Sequence, residues 1–144
     1  MRTAVVVLLA ATAVACSGDD LPAVDVTAVP NAHAQACQRL ADRLPQSLGD
    51  DLPRRDTTPD DPHVAAYGDP PIVVRCGAPD TGTFEQGDPL LNVNGVSWFY
   101  EERGPVVVWS LPTSFVNVEV TIPTAWTGDR LSYLTDAVKA AQGG

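Results

Sequence analysis

The side chains able to do chemistry are few. His33 and His63 are the only histidines, and nucleophilic catalysis needs a nucleophile, a base and an orienting group held together. No Gly-x-Ser-x-Gly elbow accompanies them, so no catalytic residue is assigned. Glu101 and Glu102 are adjacent carboxylates, but neighbours on a strand point to opposite faces and cannot flank one glycosidic bond. A partner such as Glu119 would have to come from another strand. Trp98 and Tyr100 share one strand face, and Trp109 stands on the next strand. On a solvated face with Asn117 and Glu119 these aromatics would form a platform for sugars or a partner's side chains; on a dry face they are core. Asp56, Asp60, Asp61 and His63 lie close together without EF-hand spacing and read as solvated turn residues. No phosphate-cradling glycine loop, zinc spacing or basic stripe is present, so no cofactor or metal is expected.

The remaining reactive groups are the thiols of Cys16, Cys37 and Cys76. Arg2 and the apolar run Ala4 to Ala15 precede Cys16, as in a secretory signal, and the run is shorter than the roughly 20 residues a membrane span needs. Ala13-Val14-Ala15-Cys16 resembles the lipobox of bacterial lipoproteins, with Ala13 where Leu is usual. That resemblance implies diacylglyceryl transfer to the Cys16 thiol and cleavage after Ala15; the other reading is an ordinary secretory signal cleaved nearby. Three cysteines in an exported chain leave one odd. Lipidation of Cys16 would leave Cys37 and Cys76 as a pair, free to stay oxidised outside the cytoplasm. Their bridge would close a loop of about 40 residues and contribute roughly 4 kcal/mol. A metal site on two such isolated cysteines lacks further ligands.

Without residues 1–15 the chain of 144 keeps 129 residues, and loss of Arg2 takes the net charge from −9 to −10. That balance argues against nucleic acid and against electrostatic attachment to an anionic bilayer. Membrane association would have to come from the lipid on Cys16, and two acyl chains anchor stably where one does not.

These groups must be positioned by a single domain over residues 31–144, preceded by a tether over 16–30. Val24, Val26 and Val29 offer an edge strand as the alternative to a flexible tether. Asn31 suits a helix cap, and His33, Cys37, Leu40, Ala41 and Leu44 share one helical face, closed by Pro45. Residues 45–70, rich in proline and acid, read as a long irregular loop. Strands are expected at Pro71 to Cys76, Leu90 to Val93, Val96 to Glu102, Val106 to Trp109 and Phe115 to Ile122, with a hairpin turn at Asn94-Gly95. Val116, Val118, Val120 and Ile122 alternate with polar residues, which predicts a sheet with one dry and one wet face. Thr127 or Asp129 can cap a second helix whose Leu131, Leu134, Val138 and Ala141 form one stripe. The expected fold is α+β: an antiparallel meander of four to five strands, two helices on one face and one disulfide.

Ala36-Cys37-Gln38-Arg39-Leu40-Ala41, Gly68 to Gly77, Asn94 to Glu102 and Val118 to Pro123 together resemble a family of small actinobacterial lipoproteins carrying a domain of unknown function. The resemblance supports the lipobox and the paired cysteines and implies no reaction. The expected role is a non-enzymatic module, anchored through Cys16 on the extracytoplasmic side of the cell membrane. Its expected partner is an envelope or membrane protein. A small-ligand or glycan-binding lipoprotein is the alternative, and an envelope hydrolase comes third.

Overall fold

The computed structural model describes residues 21–143; Cys16, the signal region and the first part of the tether lie outside the described residues. The described residues contain nine strands: β1 Val24–Asp25, β2 Arg54–Arg55, β3 Thr57–Thr58, β4 Val64–Tyr67, β5 Ile72–Cys76, β6 Leu91–Val93, β7 Val96–Arg103, β8 Val106–Ser110 and β9 Val118–Pro123. The helices are α1 Ala34–Ala41 and α2 Thr135–Ala141. Seven strands form one antiparallel sheet in the order β2-β4-β5-β9-β8-β7-β6, and β1 pairs with β3 in a separate parallel ladder.

This architecture is α+β as expected, but the sheet is larger than four or five strands and is not a simple meander. The extra strands β2 and β4 come from residues 45–70, expected to be irregular. Val64-Ala65-Ala66-Tyr67 is short and alanine-rich and sits among prolines, so it lacks the β-branched run that signals a strand; pairing with β5 supplies what local propensity does not. The meander breaks because β5 is bordered by β9, and Val74 stands opposite Val120. Of the two readings for the stretch before Asn31, Val24–Asp25 takes the edge strand, with Val24 and Val26 donating to the carbonyls of Asp56 and Thr58.

Both helices begin as tight 3-10 turns, over Asn31–His33 and Gly128–Leu134, and neither start carries a side-chain cap. Asn31 is therefore part of the first turn and does not cap it. Arg39 serves the other helix: it donates to the carbonyls of Ala140 and Ala141, at 2.8 and 3.3 Å. There the helix runs out of backbone donors, and the Ala140 carbonyl also accepts from the Gly143 amide at 3.4 Å.

The core lies between the helices and one sheet face. Ala36, Cys37 and Leu40 of α1 and Ala137, Val138 and Ala141 of α2 pack with Ile72, Val74, Val118, Val120 and Ile122 in a single cluster. Leu131 and Leu134 complete the second helical stripe. Cys37 and Cys76 form a disulfide with a Cα separation of 5.5 Å, both buried, tying α1 to the end of β5. Leu48, Leu52 and Tyr67 enter the same core, so the proline-rich segment is built into the domain. Burial pushes the Tyr67 phenol up to about 12, and its hydroxyl donates to the Pro45 carbonyl at 2.9 Å.

The opposite sheet face is drier than the alternation predicts. Val64, Ala66, Val108 and Ser110 on that face are buried. Arg55 reaches over to the Pro22 carbonyl from one flank, and Phe84 packs edge-on against Phe99 from the other, with centroids 5.3 Å apart.

Candidate functional site

The expected aromatic platform is divided. Tyr100 and Trp109 stand opposite each other on β7 and β8, and Trp98 precedes them on the same face of β7. That face is the core side: Trp98 and Trp109 are buried within the main cluster. Gly128 packs so closely on Trp109 that a Cβ there would stand 2.9 Å from Cζ2. Tyr100 alone keeps a solvated edge, 48 % exposed, with its ring 5.0 Å from that of Trp109. Because Trp109 pairs with Val120, Glu119 points to the other face and cannot join them.

Glu119 is 8 % exposed and accepts from Arg75 at 3.0 Å across the β5–β9 pair. Glu101 accepts from the Thr83 hydroxyl at 2.8 Å, the Thr83 amide at 3.2 Å and Arg103 at 2.7 Å. Modest desolvation pulls Glu101 upward, and these hydrogen bonds outweigh it, so its carboxyl is held below the ordinary carboxylate range. With β8 between them, the two carboxylates stand on the order of 10 Å apart, each engaged with its own arginine. Asn117 accepts from the Leu111 amide and donates to the Ala78 carbonyl, so its role is to fasten loops. Asp61 accepts from the amides of Val29 and His63, which accounts for the acidic stretch as a turn and clasp. Among the described residues no cluster of three or more His, Cys, Asp and Glu converges on a metal-sized site.

Two hollows share the loop between β8 and β9. One, of about 460 Å³, lies between Phe115 and the start of α1, where the His33 ring meets Phe115 edge-on at 5.5 Å. The other, of about 540 Å³, opens between the β6–β7 turn and α2. Val96, Leu111 and Val138 form its buried apolar floor, and Ser97, Thr113, Ser114, Lys139 and Gln142 line it with polar groups. Its volume falls in the range of small-ligand sites. Sequence patterning pointed to none of this, because the lining comes from three separated segments. The local signal was the Asn94-Gly95 turn, whose left-handed φ values of 50° and 86° bend the hairpin over the cleft.

A family model described as Protein of unknown function (DUF3515) matches residues 2–143. No curated protein and no solved structure matches the chain.

Proposed function

The chain belongs to this family of proteins of unknown function, DUF3515, and on that footing we propose that it is a lipid-anchored extracytoplasmic module that binds a partner at the cell envelope. The observation that carries the reading is the buried Cys37–Cys76 bridge. It uses two of the three cysteines and leaves Cys16 directly after a small-residue apolar run. Such bridges persist where the surroundings are oxidising, which fits export, and an acyl anchor explains how so acidic a chain stays at a membrane. Binding is favoured over turnover because Glu101 and Glu119, the carboxylates a hydrolase would draw on, are committed to structural partners.

The test is fractionation of cells producing the wild-type chain and Cys16→Ser. Wild type is expected in the membrane fraction, released only by detergent, and Cys16→Ser in the soluble extracytoplasmic fraction. Membrane retention of the variant would overturn the anchor. Capture of a small ligand is the second reading, and the 540 Å³ cleft is what favours it.

A further inference from the structure

We infer that the cleft between the β6–β7 turn and α2 is a binding site for the carboxyl-terminal end of a short peptide with small apolar side chains. The assignment rests on the reading of this domain as a binding module, not on the anchor. Lys139 is the only lysine in a chain with 18 acidic residues. No ion pair engages it among the described residues. Its Nζ lies over the hairpin turn, where a Cβ built at Gly95 would come within 3.4 Å. A cation left unpaired at the rim of a concave apolar site selects an anionic group from outside the chain.

The walls are set before any ligand arrives. Gln142 clasps Val116 in both directions, accepting from its amide at 3.3 Å and donating to its carbonyl at 2.9 Å. The Ser114 amide donates to the Leu111 carbonyl, and the Leu111 amide to Asn117. A preformed wall lowers the ordering cost of binding. The floor of Val96, Leu111 and Val138 suits apolar side chains of modest size. Thr113 and Ser114 bring hydroxyl-bearing residues to its wall, whereas the Ser97 side chain turns to the other face of β7. A fatty acyl chain laid over the half-buried Ser114 would cover a polar group without pairing it, which is costly; a peptide amide can pair with it.

The experiment titrates N-acetylated alanyl-valyl-alanine into the purified full chain and follows backbone amide resonances. The probe is used as its free acid and as its C-terminal amide. The free acid is expected to shift Val96, Leu111 and Val138, and the amide form to bind about fivefold more weakly, the scale of one solvent-accessible ion pair. Lys139→Met should bring the free acid down to the level of the amide, and Lys139→Arg should restore the difference. Absence of shifts in the cleft at millimolar free acid would overturn the site, and so would equal binding of acid and amide. Octanoate binding more tightly than the peptide acid would overturn the ligand class. Each of these failures leaves Cys16-dependent membrane retention, scored separately, untouched.

Discussion

Arg75 and Glu119 stand directly opposite each other on β5 and β9, joined at 3.0 Å on the sheet face turned away from the helices. Both side chains are largely removed from solvent, and Arg75 Nε has no further partner among the described residues. Removing one member leaves the other charge poorly solvated. Glu119→Ala should therefore destabilise the fold by about 2 kcal/mol. In urea unfolding, the double variant with Arg75→Ala should cost less than the sum of the single losses, by about 1 kcal/mol. Simple additivity would mean that the two groups do not interact.

The Cys37–Cys76 bridge closes a separation of 39 residues, and its removal should cost about 4 kcal/mol in the chain-entropy account. Replacing both cysteines with Ala should lower the urea midpoint to match that loss. Non-reducing peptide mapping of the wild type should recover the two cysteine peptides joined.

Gly128 owes its identity to Trp109 and not to an unusual backbone angle. A methyl group there meets the indole at 2.9 Å, so Gly128→Ala should force the ring or the 3-10 turn to move, costing about 2 kcal/mol. A lowered thermal midpoint together with altered tryptophan fluorescence would show this. Gly104 has open space around it but a φ of 61°, so Gly104→Asn, a residue that tolerates that conformation, should leave the fluorescence unchanged.

Glu101 ties the loop at Thr83 to β7. Its carboxyl ionises at lower pH in the folded chain than in the unfolded one, so the unfolded state binds more protons in the acidic window. The stabilisation is present above the ordinary carboxylate range and is lost as pH falls through the folded value. Glu101→Gln should flatten that part of the pH–stability profile and raise hydrogen exchange at the Thr83 amide. An unchanged acid limb would assign it to other carboxylates.

Short-range patterning carried the helices, the hairpin and the dry face of the last strand. Leu131, Leu134, Val138 and Ala141 are all buried, and Asn94 and Gly95 adopt the positive φ values that their turn demands. The bridge was legible from cysteine arithmetic. What was not legible depends on distant pairing: β4 is a strand because β5 lies beside it, and β5 borders β9 across more than 40 residues. The aromatic face was ambiguous because Trp98 and Tyr100 share a side yet meet different surroundings, one beneath the helices and one at their margin. Lys139 carried no signal until the fold set it beside Gly95.

The central place of β9 bears on how this chain comes into being. Apart from β9, the sheet consists of two groups of strands, β2-β4-β5 and β8-β7-β6, with no strand of one hydrogen-bonded to a strand of the other. Joining the two groups requires β9, whose pairing with β5 spans more than 40 residues, and closure through such distant contacts is slow.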